Sequence, residues 1–314
     1  MLFLVKMMSN KTEFILCLSK IQNCGPIKIK DIMSRFLNEG FLELDNLKSI
    51  IDENYSDIDT NNIGVIHSAA KAEIERCEEQ SIMIKNYLDE DYPKSLSAIK
   101  DSPILIFIRG SDAIFASEEK NIAIIGTRKP SEDGKKIAFD SAKLLSEKGY
   151  CIISGLANGC DTQAHKGCLD QGGLTVAVLA HGLDIITPSS NTKLAQDIIE
   201  KGGTLISEYS IETPPQKFMY IQRNRIQSAL SKIVILIESD IRGGSMKTME
   251  FAKKQGKEIW IYQPNIFGES TTGNEKLINE SSTINEKQGF ISGLEEPKSK
   301  YKYFKSIDDI RKIL

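Results

Sequence analysis

The chain has 314 residues, with 40 Lys plus Arg, 43 Asp plus Glu and a formal net charge of −3 at pH 7. This balance excludes a uniformly basic coat for nucleic acid but leaves room for a local basic patch. With 40% hydrophobic residues and no apolar run of about 18 residues, the sequence predicts a globular cytoplasmic protein without a membrane partner.

The N-terminal part predicts helices. Apolar residues recur every three or four positions within 12–21, 28–37 and 69–80. Between the first two helices, 21-IQNCGPIKI-29 places a Gly-Pro turn that resembles a helix-hairpin-helix, which can present backbone N–H groups to a phosphate. The alternative is a helical hairpin that only packs. We expect residues 1–84 to form a small all-helical domain, SAM-like or helix-hairpin-helix-like.

The chain then changes to alternating strands and helices. An apolar run, 103-PILIFI-108, predicts an edge strand that precedes the main sheet. Continuous apolar runs of the kind that strands covered on both faces require follow at 122–126, 150–155, 175–180, 204–209, 232–239 and 258–262. This pattern predicts an α/β fold with a doubly wound, mostly parallel sheet of extended Rossmann type over residues 85–268.

The remaining residues, 269–314, are mostly polar until a predicted closing helix at 304–314. We expect them to be a C-terminal extension that closes on the Rossmann domain.

The cysteines and histidines do not predict a reactive centre. Six cysteines show no CxxC pair, so we expect reduced, buried thiols. Asp161 and His165 share a helix face but fall short of a zinc ligand set. Cys160 and Cys168 flank His165, yet cysteines that pack a helix explain them better than a thiol nucleophile. We therefore expect no metal and no catalytic residue.

Glycines and charged residues gather where the predicted strands end. The carboxyl ends of parallel strands share one edge of the sheet, and helix N-termini at that edge favour anions. Arg128 and Lys129 add positive charge there, and Ser131 can cap the next helix. The candidate residues are Gly126, Thr127, Arg128, Lys129 and Ser131 after the first strand of the parallel sheet, Gly155, Asn158, Gly159 and Asp161 after the second, and Arg242, Gly243, Gly244, Ser245 and Lys247 after the fifth.

A second basic segment, 222-QRNRIQSAL-230, precedes the fifth strand. Its arginines, Arg223 and Arg225, flank Asn224 and point apart on a helix, so only one of them can easily face a given phosphate. The alternative for these arginines is structural ion pairing with Glu208 or Glu238.

The turns contain no GxGxxG and no GxxxxGK[ST], which argues against a nicotinamide or ATP cofactor, and GxSxG is also absent. We expect no cofactor.

Six ordered blocks carry a family resemblance: IIGTRKPSEDG, ISGLANGCDTQAHKGCL, VLAHGLDIITPSSN, LISEY, RNRIQSAL and ESDIRGGSMKT. Together they resemble the DNA-processing protein A family, DprA or Smf. The resemblance is dense from about 87 to 265. It implies a Rossmann-type domain that dimerises, binds single-stranded DNA through a basic pocket, protects incoming DNA and helps load RecA in natural transformation, with no firmly attached catalytic reaction.

Carried over by motif position, the resemblance supports the candidates already named and adds Lys166 and Lys193. It also shows departures. Residues 180–184, AHGLD, stand where the family usually has glycine-threonine-glycine-leucine-aspartate. Thr187 replaces a usual tyrosine, and residues 219–222 replace a usual phenylalanine-proline. The winged-helix domain of some members is not expected at the C-terminal end.

One enzymatic alternative remains open. The segment 243-GGSMKTME-250 is similar to the PGGxGTxxE turn of the lysine-decarboxylase-like nucleotide hydrolases, which act on nucleoside monophosphates. Here an extra residue separates the glycine pair from the threonine, and no proline precedes it.

Overall fold

The computed structural model of the protein describes residues 2–38, 43–287 and 301–314. Its α-helices, in chain order, are α1 (Leu2–Ser19), α2 (Pro26–Asn38), α3 (Leu44–Asn54), α4 (Ile63–Glu79), α5 (Lys94–Ser97), α6 (Glu132–Glu147), α7 (Cys160–Asp170), α8 (Thr192–Glu200), α9 (Lys217–Ala229), α10 (Gly244–Lys254), α11 (Thr272–Lys287) and α12 (Ile307–Ile313). Its strands are β1 (Ile82–Asn86), β2 (Leu105–Gly110), β3 (Asn121–Ile125), β4 (Cys151–Ser154), β5 (Thr175–Val178), β6 (Thr204–Ser207), β7 (Ile233–Leu236), β8 (Glu258–Tyr262) and β9 (Tyr301–Phe304).

The strands form one sheet in the order β1-β2-β6-β5-β4-β3-β7-β8-β9. From β6 to β9 all neighbouring strands are parallel. Strand β2 runs antiparallel to both β1 and β6. This confirms the predicted α/β fold with a doubly wound, mostly parallel sheet of Rossmann type, and the six predicted strands of its parallel part are β3 to β8.

The continuous apolar runs become strands because helices cover both faces of the sheet. Every residue of β3 to β7 is buried. Helices α6 and α7 pack on one face and contribute Ala138, Ala142 and Ala164 to its core. Helices α9 and α10 pack on the other face, where Ile226 and Met249 are buried.

The edges of the sheet differ from the prediction. The edge-strand assignment of 103–108 is wrong, because β2 is hydrogen-bonded on both sides and β1 forms that edge. Strand β1 was missed because it follows α4 almost directly and mixes buried Ile82 with exposed Met83 and the charged Lys85.

The far edge was missed as well. Strand β9 pairs with β8, and the Phe304 ring packs 5.7 Å from the ring of Tyr262, measured between centroids. The predicted closing helix is confirmed as α12. Relative to the family pattern, the sequence also has an added stretch near 285–303, of which residues 288–300 lie outside the described residues.

The N-terminal helices share a hydrophobic core with the sheet. Phe14 and Phe36 pack edge to face at 4.9 Å between centroids, in a cluster that also contains Phe107 of β2 and Leu205 of β6. Strand β1 crosses the predicted boundary at residue 84. The division into residues 1–84, 85–268 and 269–314 therefore stays a proposal.

The six cysteines are free and buried, as predicted, and burial raises the pKa of the Cys24 thiol to about 11. In the described ranges, none of the helices combines the length and apolar character that crossing a bilayer requires.

The contact between α6 and α7 allows a test of the fold. A Cβ at Gly167 would lie 2.1 Å from the Phe139 carbonyl oxygen of α6, whereas a Cβ at Gly64 of α4 would meet no atom of the described residues within 4 Å. We expect Gly167→Ala to lower the free energy of unfolding by about 1–3 kcal/mol, because backbone must shift to admit the methyl group. The control Gly64→Ala should leave it unchanged or raise it by up to about 1 kcal/mol. Urea denaturation measures both, and equal effects would contradict the close helix contact.

Candidate nucleic-acid interface

The candidate site lies where the winding of the sheet reverses. Strands β3 and β7 are parallel neighbours, yet β3 leads to α6 on one face and β7 leads to α10 on the other. The two connections separate at the carboxyl edge and leave a crevice between them, which is the usual position of a ligand in an open α/β sheet.

A cavity of about 410 Å³ fills this crevice, and we call it the switch-point cavity. It brings together ten of the predicted residues with parts of α7, α9 and α10. Its lining consists of Ile125, Gly126, Thr127, Arg128, Lys129, Ala157, Asp161, Tyr220, Ile221, Arg223, Asn224, Gln227, Asp240, Gly243, Gly244, Ser245 and Thr248.

Glu238 holds the basic turn that follows β3. Its backbone carbonyl accepts a hydrogen bond from Thr127 N at 2.6 Å, at the start of the turn. Its carboxylate accepts bonds from Ser131 N at 2.9 Å and Ser131 Oγ at 2.5 Å, at the end of the turn. Because one buried residue fixes both ends, the turn projects the exposed Arg128 and Lys129 outward at the cavity.

The same carboxylate occupies the N-terminus of α6. A Cβ at Gly134, in the first turn of that helix, would lie 2.5 Å from the Glu238 carboxylate. Ser131 caps the helix by accepting from Gly134 N at 2.9 Å, which confirms its predicted capping role. Both donors of Ser131 are therefore used inside the protein, and the structure places this residue outside the cavity lining, unlike residues 126–129.

The N-terminus of α10 is arranged differently. Its capping residue is Gly243, so within the described chain no side chain caps this end. Gly244 and Ser245 begin the helix on the cavity wall, where the first N–H groups of a helix have no intrahelical acceptor. These groups give the cavity a partial positive charge that attracts an anion.

Arg223 is the buried cation of the site. Its side chain donates to the carbonyl oxygen of Gly155 at 3.0 Å and to that of Val178, and only 5% of the residue is exposed. A Cβ at Gly155 would lie 2.6 Å from the guanidinium and 2.7 Å from Asp161 Oδ2. Glycine is therefore required between the two charged side chains.

Asp161 supports the loop after β4. Its Oδ2 accepts from Gly155 N at 3.1 Å and from Ala157 N at 3.3 Å. Burial raises the pKa of Asp161, and the nearby Arg223 opposes that rise. Asp161 was predicted to take part in phosphate binding. In the free protein its carboxylate instead accepts hydrogen bonds from backbone N–H groups of the protein itself.

Two guanidinium groups face the same cavity. Burial lowers the pKa of Arg223, and the charge of Arg128 lowers it further, whereas Asp161 raises it. The Arg128 guanidinium lies over the Tyr220 ring, 5.2 Å from the centroid. An anion between the two arginines relieves their mutual repulsion, so the electrostatics favour a phosphate at this point.

Arg225 is directed away from the cavity. It forms a bidentate pair with Glu208, at 2.7 and 2.6 Å, and contacts Asp101 Oδ2 at 3.1 Å. This geometry confirms that the two arginines of the segment point apart and that one pairs with Glu208. The assignment of Arg225 to the phosphate site is not supported, because its charge is already compensated by two carboxylates. Glu238 binds Ser131 instead of an arginine.

The other predicted residues outside the cavity lining have separate positions. Gly159, with φ of 85°, packs against the basic turn, since a Cβ there would lie 2.4 Å from Thr127 O. Asn158 accepts from Ser190 Oγ at 3.0 Å. Lys166 and Arg242 are exposed, and Lys247 pairs with Glu250 at 2.9 Å. Lys193 pairs with Asp197 at 2.9 Å.

Sequence reasoning missed Gln227, Thr248 and the clamp made by Glu238. Glu238 is an acidic residue at the end of an apolar strand, and Gly134 is a glycine in the first turn of a helix. Only their pairing in space shows that the glycine makes room for the carboxylate.

His165 has a structural environment. Thr175 Oγ1 donates to Ile152 O at 2.7 Å, so it accepts from His165 Nδ1 at 2.7 Å. The other ring nitrogen is buried and has no hydrogen-bond partner among the described residues, and burial lowers the pKa of His165 to about 3. The part of the chain that the structure describes contains no cluster of three residues able to hold a metal ion.

The Glu238 clamp can be tested through stability. We expect Glu238→Ala to lower the free energy of unfolding by about 1–3 kcal/mol, because Ser131 loses its acceptor and α6 loses the anion at its N-terminus. The control Glu250→Ala breaks only the exposed pair with Lys247 and should cost less than about 1 kcal/mol. Urea denaturation compares the two, and a smaller loss for Glu238→Ala than for Glu250→Ala would contradict the clamp.

The burial of His165 predicts a pH dependence. Between its ordinary pKa of 6.5 and the folded value of about 3, the unfolded chain binds a proton that the folded chain does not. The free energy of unfolding therefore falls as pH falls through this range, by up to about 1.4 kcal/mol per pH unit from this group. In His165→Gln this contribution disappears, so urea denaturation across the range should show a shallower slope than in the wild type. Parallel slopes would contradict a neutral buried His165.

Comparison with known proteins identifies the family. The family model described as DNA recombination-mediator protein A matches residues 83–293. The DNA processing protein DprA of Bacillus subtilis is 36% identical over 204 residues, which cover 65% of this chain and 68% of that protein. Protein Smf of Escherichia coli is 35% identical over 195 residues, 62% of this chain but only 52% of the relative.

Solved structures agree with this match. The X-ray structure of DprA from Streptococcus pneumoniae covers 96% of this chain and 97% of its own, with a TM-score of 0.71 and 28% identity. A structure of DprA from Helicobacter pylori, described in terms of its single-stranded DNA binding mode, covers 66% of this chain and 96% of its own, with a TM-score of 0.57 and 29% identity. From its sequence match and its fold, the chain belongs to the DNA recombination-mediator protein A family, DprA or Smf.

Proposed function

We propose that this protein binds single-stranded DNA at the switch-point cavity. The observation that carries the proposal is the convergence of Arg128, Lys129 and Arg223 on one cavity at the carboxyl edge of the sheet. The N-terminus of α10, which no described side chain caps, borders the same cavity. Three cations face two carboxylates there, Asp161 and Asp240, in a chain whose net charge is −3. The described DNA binding of the Helicobacter pylori relative supports the same reading.

The contacts available in the cavity suit a phosphate backbone. Arg128 and Lys129 are exposed and able to follow a phosphate, whereas Arg223 is fixed by carbonyl groups. The N–H groups of Gly244 and Ser245 add donors on the opposite wall. Such contacts neutralise phosphates and carry little sequence information, so we expect slight sequence preference.

Tyr220 adds an aromatic surface beside these charges. In the free protein, the Arg128 guanidinium lies over the Tyr220 ring. When Arg128 binds a phosphate, that ring face becomes available to an unpaired base, and base stacking of this kind contributes about 1–3 kcal/mol. Paired bases in a duplex expose no such face, which favours single strands.

The family assignment supports a proposal for the biological role. We propose that the protein protects incoming single-stranded DNA and helps load RecA during natural transformation or recombination, acting as a cytoplasmic homodimer. Binding, without cofactor or chemical step, is sufficient for this role.

The geometry does not favour the nucleotide-hydrolase alternative. That reading needs the glutamate of the 243–250 segment to act on a ligand beside an arginine. Glu250 instead pairs with Lys247 on the exposed side of α10 and does not line the switch-point cavity.

Charge reversal at Arg128 tests the proposal. We expect Arg128→Glu to abolish most binding of a fluorescent oligothymidylate, because it removes one phosphate contact and adds a repulsive carboxylate. For the wild type, the logarithm of affinity should fall with the logarithm of salt concentration with a slope of about −0.7 per neutralised phosphate. Fluorescence anisotropy across a salt series measures both quantities.

The matched control is Arg311→Glu, which makes the same charge change on α12, where Arg311 pairs with Asp308 at an exposed position. It should bind nearly as the wild type does. A duplex of equal length serves as the second comparison and should bind more weakly. Affinity that is flat across the salt series, or binding by Arg128→Glu at the wild-type level, would exclude the proposed contact.

A further inference from the structure

A second, larger cavity lies on the other side of α9. It measures about 1350 Å³, and we call it the interdomain cleft. One wall is the start of α2, with Gly25, Pro26 and Ile27, and the opposite wall includes Phe251 and Lys254 of α10. Its floor is the segment that leads into β2. The cleft therefore separates the N-terminal helices from the helices that cover the sheet.

The charge of this cleft is the opposite of the charge of the whole chain. Five basic residues line it, against two acidic residues. The two carboxylates, Asp101 and Glu208, are both bound by Arg225. Lys100 and Lys254 are exposed, and Lys30 extends over the Tyr87 ring at 5.2 Å from its centroid. These three lysines leave a positive rim around the cleft.

Between the lysines the lining is largely apolar. Ile99, Ile104 and Phe107 contribute to it, and Ile27 is 86% exposed at its entrance. A large exposed aliphatic side chain beside lysines is a poor arrangement for a surface that only contacts water. It suits a ligand that combines anionic groups with flat apolar ones, as an unpaired nucleic-acid strand does.

The two cavities share a wall. On α9, Arg223 and Asn224 line the switch-point cavity, whereas Gln222 and Arg225 line the interdomain cleft. The start of the same helix exposes Phe218 at 56% and Ile221 at 45%, and Ile221 lines the switch-point cavity next to Gln222 of the cleft.

We propose that single-stranded DNA bound at the switch-point cavity continues over the first two turns of α9 into the interdomain cleft. There Lys30, Lys100 and Lys254 bind its phosphates, and unpaired bases pack on the apolar lining beside the Gly25-Pro26 turn. The proposal rests on the proposed function and extends it. It assigns to the N-terminal helices a direct part in holding the strand, and it explains why a hairpin turn with an exposed isoleucine faces the Rossmann domain.

The test uses the full chain and a series of oligothymidylates of increasing length. Affinity of the wild type should rise with length until the strand reaches the cleft. In the triple variant Lys30→Gln, Lys100→Gln and Lys254→Gln, the shortest oligomer that binds should keep its affinity. For the longest oligomer the affinity should fall by about tenfold or more, and the salt slope should decrease by about 2, since three phosphate contacts of about 0.7 each are lost.

The control is a second triple variant, Lys143→Gln, Lys148→Gln and Lys201→Gln. These exposed lysines lie in α6 or directly after α6 and α8 and line neither cavity, so their substitution removes the same charge away from both. Wild-type behaviour is expected at every length. Circular dichroism and urea denaturation confirm that both triple variants fold.

The outcomes separate this proposal from the proposed function. Binding of short oligomers that depends on Arg128, together with an unchanged length series in the cleft variant, would overturn the extension into the cleft alone. An equal loss of affinity at all lengths would also overturn it, since the lysines would then attract DNA by long-range electrostatics and not by contact with particular phosphates. Failure of the wild type to bind any oligomer would overturn the proposed function itself.

Discussion

The candidate site depends on the double attachment of Glu238 to the turn after β3. The backbone of this residue fixes Thr127 and its carboxylate fixes Ser131, so two strands that send their helices to opposite faces remain joined at the carboxyl edge. Without that attachment, the crevice of the winding reversal would have no defined wall. With it, Arg128 and Lys129 project as exposed residues from a turn that is hydrogen-bonded at both ends.

Carboxylates of the protein itself occupy two of its potential anion-binding sites. The N-terminus of α6 holds the Glu238 carboxylate, and the loop before α7 holds the Asp161 carboxylate. Both internal carboxylates use N–H groups that a phosphate would otherwise bind. No carboxylate of the described residues caps the N-terminus of α10, so its N–H groups and the exposed cations of the site border the same cavity.

The 222–230 segment shows how neighbouring arginines divide between function and structure. Arg223 lies among carbonyl groups at the base of the switch-point cavity, where no carboxylate neutralises it within ion-pairing distance in the described chain. Arg225, two residues on, joins α9 to Glu208 and Asp101 and so borders the interdomain cleft. Helix α9 therefore separates two basic cavities, and its own exposed apolar residues lie between them.

The sequence by itself determined the class of fold, the six strands from β3 to β8, the capping of α6 by Ser131 and the basic turn. These features are local. Strands buried on both faces require continuous apolar runs, and the residues that form a turn are adjacent in the sequence. Tertiary structure alone decided which edge β1 and β9 occupy, which arginine faces the cavity and which carboxylates fill helix N-termini. Those outcomes depend on pairings such as Glu238 with Ser131 and Arg225 with Glu208, which join residues 107 and 17 positions apart. The charge and composition of the chain are the same whichever residues pair. Only the packing of the sheet and its helices therefore selects the partners.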